Sequence, residues 1–314
     1  MKLQQLLYVR EVARRGLNVS AAADALHTAQ PGVSSQIRQL EDELNVQIFE
    51  RNGKRLVGIT QPGQAILEMA ERVLQEVENI KKVSGEYSDE ASGRLAIATT
   101  HTQARYALPL AVTAFKQRYP DVRLEMHQGS PLHVAELVAK GVADIAIATE
   151  ALSDFNDLIT LPCYAWNRCV VCKPGHPLLK EKELTLEALA RYPIVTYDPA
   201  VTGRSKINKA FEDAGLEPNV VLTAIDSDVI KTYVQLDMGV GILAEMAFEP
   251  ERDVNLRSIN ASHLFEESTT LIGLRRGAYL RRYLYDFIEF IVPELTRTAV
   301  ETAMQGNAAL KLEK

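Results

Sequence analysis

Residues 18–59, NVSAAADALHTAQPGVSSQIRQLEDELNVQIFERNGKRLVGI, decide the fold of the amino-terminal part of this chain. Asn18 is a good N-cap for a short helix through Leu26. His27 and Thr28 make a tight turn, and Thr28 can cap the next helix, whose first turn tolerates Pro31. That helix buries Val33, Ile37, Leu40 and Leu44, spaced 4, 3 and 4. Asn45 stands where a left-handed residue ends a helix. Asn52-Gly53 then separates Phe49–Arg51 from Lys54–Val57, and Asn-Gly between two short β-like runs is the strongest local hairpin signal. Ahead of the stretch, Leu3, Leu6, Leu7, Val9, Val12 and Ala13 recur at helical spacing up to Gly16. Helix, turn, helix and hairpin in about 60 residues predict a winged helix-turn-helix.

The polar face of that second helix carries the chemistry. Gln30, Ser34, Ser35 and Arg38 lie opposite the apolar stripe, with Thr28 and Pro31 at the helix start. Gln, Ser and Arg hydrogen-bond base edges and phosphates in a major groove. The bland alternative is a small helical domain whose polar face meets water. Arg51, Lys54 and Arg55 on the hairpin shift the balance to DNA, because cations there can contact the backbone beside the groove.

Outward from the head, Thr60 and Pro62 open a helix to about Gly85. Its Ile66, Ala70, Val73, Val77 and Ile80 step by 4, 3, 4 and 3, a heptad seam. Periodicity alone leaves two readings equal: a seam between subunits, or a helix packed on its own domain. Glu86–Gly93 is polar and contains Gly and Ser, so it is expected to be a linker. The whole chain has 314 residues and a net charge of −6, yet residues 1–60 hold eight Lys/Arg against six Asp/Glu. A mildly basic head thus precedes an acidic body. Three cysteines exclude a disulfide framework and fit a reducing cytosol. The amino terminus lacks a signal-peptide core, and no apolar run approaches the ~18 residues of a membrane span.

From Arg94 onward strands and helices alternate, which predicts parallel sheets with helices on their faces. Two such α/β units in roughly 200 residues are what a hinged, two-lobed ligand-binding domain requires. Thr99, Thr100, Thr102 and Gln103 follow a strand and open a helix, Thr149 ends another strand, and Thr202-Gly203 begins a helix of the second unit. Helix N-termini and strand carboxyl ends are where α/β folds bind anions, so these clusters can converge on one cleft holding an oxyanion through neutral donors. Each threonine alone is equally a plain helix cap. Glu150 could touch a ligand's amine or be a solvated strand end. Cys169 and Cys172 form C-x-x-C with His176 nearby, but residues three apart on a strand face opposite ways, which argues for packing and against a metal. No nucleophile motif, zinc-protease motif or phosphate-binding loop is present, so catalytic residues, metal and cofactor are all expected to be none.

The head sequence NVSAAADALHTAQPGVSSQIRQLEDELNVQIFERNGKRLVGITQPGQAIL resembles the DNA-binding domain of LysR-type transcriptional regulators. Two positions depart from the pattern: Asn45, where the family has Gly, and Gly58, which could loosen the wing's return strand. The body strings IATTHTQARYALP, HQGSP, ADIAIATEAL, LPCYAWNR, YPIVTYDPAVTGRS, DSDVIKTYVQLDMGVGILAEMA and STTLIGLRRGAYLRRYLYDFIEF are similar to the CysB and Cbl subgroup, most like the CysB type. The resemblance implies a multidomain chain. Residues 1–60 would form a mostly α winged helix-turn-helix and 61–93 a long linker helix and hinge. Residues 94–314 would form an α/β two-lobed, periplasmic-binding-protein-like effector domain, lobe 1 over 94–163 and 267–314 and lobe 2 over 164–266. It implies a cytoplasmic regulator, mainly an activator, of sulfur assimilation and cysteine biosynthesis. N-acetylserine or O-acetylserine would be its effector, with sulfate or thiosulfate competing. The site would comprise Thr100, Thr102, Gln103, Thr149, Glu150, Trp166 and Thr202. Double-stranded DNA, a second copy as homodimer or homotetramer, and RNA polymerase would be partners, and a membrane would not. A Cbl-type regulator of sulfonate use, a solute-binding receptor without DNA function, and an enzyme working in the cleft are the alternatives.

Overall fold

In the computed structural model the described residues are 1–53, 55–88, 92–199 and 203–306. They form two compact units, Met1–Ser88 and Asp89–Lys314.

The first unit runs α1 (Leu3–Arg14), α2 (Val19–Ala25), α3 (Gln30–Leu44), β1 (Phe49–Asn52), β2 (Arg55–Ile59) and α4 (Gln61–Ser88). Its core joins Leu6, Val9 and Val12 of α1, Ala22 and Ala23 of α2, and Val33, Ile37 and Leu40 of α3. Ile48, Phe49, Leu56, Leu67, Ala70 and Leu74 close it. Asn18 caps α2 by accepting from the Ala21 N–H at 3.0 Å. Asn45 ends α3 with φ 52°, a left-handed backbone that Asn tolerates. Thr28 does not cap α3: Ala29 occupies the N-cap without a side-chain bond. The positive φ of His27, 50°, spends the turn one residue early. Leu44 is exposed and Glu41 takes the inner position instead.

β1 and β2 pair antiparallel, but Asn52 itself pairs with Arg55, so Asn52 ends the strand and does not sit in the turn. A bulge after Glu50 shifts the register and leaves Gly58 opposite Glu50. A Cβ at Gly58 would come within 2.4 Å of the Glu50 carboxylate, so the missing side chain admits Glu50 and does not loosen the strand. Thr60 opens α4: its Oγ1 accepts from Gly63 N at 2.9 Å and its N–H donates to the Ile48 carbonyl at 3.0 Å. A Cβ on Gly63 would meet that carbonyl oxygen at 2.1 Å, so only glycine allows this close approach. The heptad seam divides in two. Ile66 and Ala70 pack on the head, whereas Val73 is 41% and Ile80 67% exposed. Met69, at 57%, joins the exposed side. α4 continues through Ser88, so the expected linker begins as helix, and its residues 89–91 lie outside the described residues.

The second unit holds two five-stranded sheets. The first contains β3 (Gly93–Thr99), β4 (Val122–Gln128), β5 (Ile145–Thr149), β6 (Leu158–Trp166) and β12 (Ser268–Arg275), in the order β4-β3-β5-β12-β6. The second contains β7 (Arg168–Cys172), β8 (Ile194–Tyr197), β9 (Val220–Ala224), β10 (Val240–Ala244) and β11 (Arg257–Asn260), ordered β11-β7-β10-β8-β9. Helices α5 (Pro109–Arg118) and α6 (Pro131–Ala139) belong to the first lobe, and α7 (Leu186–Ala190), α8 (Arg204–Asp213) and α9 (Ser227–Gln235) to the second. α10 (Arg282–Ile291) and α11 (Arg297–Met304) close the chain on the first lobe. The sheets are mixed and not purely parallel: β12 runs antiparallel to β5 and β6, and β7 to β10 and β11. In each sheet the antiparallel strand comes from a crossover, where the chain passes from one lobe to the other.

Those crossovers are Asn167 and residues 261–267. The Asn167 amide stitches them together, donating to the carbonyls of Ser262 and Phe265 at 3.1 and 3.3 Å. Cys169 and Cys172 lie on β7 and pack into different core clusters on the two faces of its sheet. All three cysteines are buried and free. No helix among the described residues is long and apolar enough to cross a membrane.

Candidate nucleic-acid interface and ligand cleft

On the first unit, Gln30, Pro31, Ser35 and Arg38 of α3 are exposed, with Ser34 and Thr28 half-buried. The Gln30 amide donates to Ser34 Oγ at 3.0 Å, one turn apart. Gln30, Asn52, Arg55 and Val57 share one open groove with residues Gly16–Ser20 that lead into α2. Recognition-helix and wing side chains therefore border the same hollow. Lys54 lies outside the described residues. Arg51 departs from the expected free cation: its Nη2 donates to Glu41 Oε2 at 2.6 Å. Glu41 is buried and also accepts from the N–H groups of Ile48 and Phe49 at 2.9 and 3.1 Å. Arg51 thus neutralises a buried carboxylate that fixes the wing to α3.

On the second unit, a cavity of about 250 Å³ opens between the lobes. Its floor is made by the carboxyl ends of β3 and β5, which run parallel side by side. Thr100, Thr102, Gln103, Thr149 and Trp166 all line it, as the sequence led us to expect, together with Tyr197 from the second lobe. His101, Gln128, Ser130 and Asp226 are among its remaining residues. Ser130 caps α6 and accepts from His133 N, so that helix begins at the cavity wall. Thr149 is only 4% exposed, and its Oγ1 has no hydrogen-bond partner; the same holds for the buried Trp166 Nε1. Buried polar atoms without partners are rare in folded proteins, because each costs ~1–3 kcal/mol.

Of the expected ligand contacts, Gln103 and Glu150 also make bonds within the protein, and Thr202 lies outside the described residues. Gln103 is partly engaged: its amide donates to Thr270 Oγ1 at 3.2 Å and its carbonyl accepts from the Tyr164 hydroxyl. It lines the cavity, and those bonds leave its second amide N–H unused. Glu150 turns to an ion pair with Lys206 of α8 at 2.8 Å and accepts from Thr269 N at 2.9 Å. Burial pushes its carboxyl up, but the Lys206 ammonium and the backbone N–H groups outweigh burial and hold it below the usual range. Thr202 lies outside the described residues, next to Gly203, whose φ of 100° precedes α8.

The π-helical turn Gln103–Ala107 that follows β3 also reaches across the cleft. Tyr106 donates to Asp228 at 2.6 Å and accepts from Lys231 at 3.1 Å. Burial first, and the Asp228 bond second, push its phenol up to about 12. His101, Asp226 and Asp228 bring three ligand-type atoms within 4.8 Å. Arg105 and Lys231 pair with Asp228 at 3.5 and 3.3 Å, and Lys231 also with Asp253 at 3.0 Å, so ion pairs tie the lobes together here.

Sequence reasoning missed Arg168. It stands first in β7, is 1% exposed, and its guanidinium donates to the Glu266 carbonyl in the second crossover and to Ser268 Oγ at the start of β12. An Arg opening an apolar run, directly after the Trp-Asn pair, was the available signal.

Known proteins resemble this chain in both parts. The model of bacterial regulatory helix-turn-helix proteins of the lysR family matches residues 3–64, and that of the LysR substrate binding domain matches residues 88–296. The transcriptional regulator CysB of Burkholderia cenocepacia is 53% identical over 98% of both chains. The regulator SsuR of the same organism is 51% identical over 96% of this chain and 97% of its own. Among solved structures, the cofactor-binding domain of the Cbl transcriptional regulator superposes with a TM-score of 0.66 at 42% identity, over 68% of this chain and 94% of that one.

Proposed function

Because the chain belongs to the LysR family of bacterial helix-turn-helix regulators, we propose that it is a cytoplasmic transcriptional regulator, mainly an activator, of sulfur-assimilation and cysteine-biosynthesis genes, governed by a small oxyanion or an acetylated serine held between its lobes. The division we assign is a DNA-binding head over 1–60, a linker helix and hinge over 61–93, and an effector domain over 94–314. The observation that carries the reading is the pair of partnerless buried donors, Thr149 Oγ1 and Trp166 Nε1, on the wall of an otherwise formed cleft. A sulfate oxygen or an acetylserine carboxylate supplies the missing acceptors. Thr100 and Thr102 add hydroxyls at the same wall, and Thr202, which precedes Gly203 in sequence, is assigned to the site with them.

Ligands that bridge the lobes favour one closure of the cleft and shift the equilibrium by their differential affinity for it. The exposed Met69, Val73 and Ile80 of α4 offer an apolar seam to a second copy, so that two α3 helices read the two halves of a palindrome. Gln30, Ser34, Ser35 and Arg38, with Thr28 and Pro31, read bases or adjacent phosphates; Lys54 and Arg55 contact backbone; RNA polymerase is the downstream partner. Near-equal identity to relatives named CysB and SsuR, 53% and 51%, supports control of an alternative sulfur source as the second reading.

Calorimetric titration with sulfate and N-acetylserine tests the cleft. Each lost hydroxyl contact to a charged ligand costs about 1.5–3 kcal/mol, roughly tenfold or more in affinity. Thr102→Ala and Thr149→Val should both show that loss while still binding DNA. Wild-type affinity for both ligands in both variants places the site elsewhere.

A further inference from the structure

Threonine, glutamine and tryptophan donors line the cleft, and among the described residues its one lining carboxylate, Asp226, would repel an anion. Behind the wall, however, lies a full positive charge. The Arg168 guanidinium is 1% exposed and binds only neutral acceptors: the Glu266 carbonyl at 2.8 Å, Ser268 Oγ at 2.8 Å and the Gly203 carbonyl at 3.3 Å. Its Nε has no partner at all. Among the described residues no carboxylate oxygen comes within 4.0 Å of it. Glu150 and Glu266, whose charges act on it from beyond contact, both pair with Lys206, at 2.8 and 3.7 Å. Burial pulls the Arg168 pKa down, but an arginine starts so high that it remains charged.

A desolvated cation without a carboxylate is an unusual expense unless an anion arrives to match it. The position of Arg168 says where. Its Cζ sits 5.1 Å from the centroid of Trp166, whose ring is part of the cleft wall. A cation over an indole draws electron density from the ring and strengthens its N–H as a donor. The Trp166 Nε1 is one of the two partnerless donors. Arg168 also holds the carbonyl of Gly203, next to Thr202, and the first residue of β12. One side chain therefore supports the cleft from both lobes and, among the described residues, brings to its wall a positive charge with no carboxylate oxygen within 4.0 Å.

We propose that Arg168 is the specificity-determining counter-charge of the cleft, selecting anions over neutral or zwitterionic ligands through Trp166 without touching them. This rests on the cleft being the ligand site. Coulomb energy is linear in ligand charge, so the loss on neutralising Arg168 should double in logarithm from a monoanion to a dianion. Titration of full-length R168Q at constant ionic strength should weaken sulfate by roughly tenfold and N-acetylserine by about threefold. R168K keeps the charge but not the fork, and should stay within about twofold of the parent for both ligands.

The outcomes separate. R168Q binding both ligands like the parent refutes the role of Arg168. So does an equal loss of both ligands in R168Q and R168K, which would make Arg168 a structural clamp on the crossovers. Should R168Q fail to fold, R168K alone decides, because a clamp loses affinity with the fork and a counter-charge does not. A parent protein that binds neither anion removes the cleft reading, and this proposal with it.

Discussion

Replacing Glu41 in α3 should damage the head far more than a carboxylate on a polar helix face ordinarily would. Its Oε1 accepts the N–H groups of Ile48 and Phe49, which are 0% and 1% exposed. Glu41→Ala leaves both donors orphaned and out of reach of water. At ~1–3 kcal/mol for each unsatisfied buried donor, the middle of the range gives a loss of about 4 kcal/mol. Domains of this kind are stable by only ~5–15 kcal/mol, so much of the margin disappears. Glu41→Gln keeps an acceptor for both amides and gives up the charge on Arg51, so it should cost roughly 1 kcal/mol. It also releases Arg51 from its 2.6 Å ion pair. The released guanidinium becomes available to DNA phosphates, and the salt dependence of binding to a random duplex should steepen by about one unit of slope. Hydrogen exchange at the Ile48 and Phe49 amides, with denaturant unfolding of the full chain, measures the first effect; anisotropy titrations across salt measure the second. Glu41→Ala with unchanged amide protection and stability within ~1 kcal/mol of the parent would refute the reasoning.

Three further outcomes follow from the same structure. Val73→Glu puts a charge into the exposed seam of α4 and should abolish dimerisation in analytical ultracentrifugation; an intact dimer would show that the seam packs elsewhere. Burial lifts Cys163 to about 12 and Cys169 and Cys172 to about 11, so native alkylation at pH 8 should label none of the three thiols, while denatured chain labels all three. Because Glu150 is held below the ordinary carboxylate range, its pair with Lys206 stabilises lobe contact at all pH above the unfolded value of ~4.3 and is lost as pH falls through the lower folded value. Lys206→Met should remove that acid-limb dependence from the melting profile of the effector unit; an unaltered acid limb would assign it to other carboxylates.

The head was legible because its signals are local. Asn18, Asn45 and the Val33–Leu40 stripe act through neighbours within a few residues, and the structure places each as the sequence implies. Glu41 was not legible, since its partners lie 7, 8 and 10 residues away, on β1 and just before it, and its own position looks like solvent. The same limit explains the mixed sheets: β12 pairs with β5 across more than 100 residues, and no local pattern reports the direction of a returning strand. Within the cleft, the threonines announced themselves at strand and helix ends. The engagement of Gln103 by Thr270, 167 residues on, did not, and neither did the turn of Glu150 toward Lys206. Split burial of the heptad seam arises because one stripe of α4 is consumed by the head before the other meets a partner.

The contact between Gly63 and the Ile48 carbonyl makes α4 a lever with a seized bearing. No side chain cushions the joint, and Thr60 bonds the first turn to the same carbonyl. Twenty-eight residues at ~1.5 Å each give an arm of about 42 Å. A swing of about 5° displaces its far tip by about 4 Å. With no slack at the fulcrum, that rotation is delivered whole to α3, so several ångströms of travel at the tip reach the reading helix as a change of angle and not as a shift of the same size.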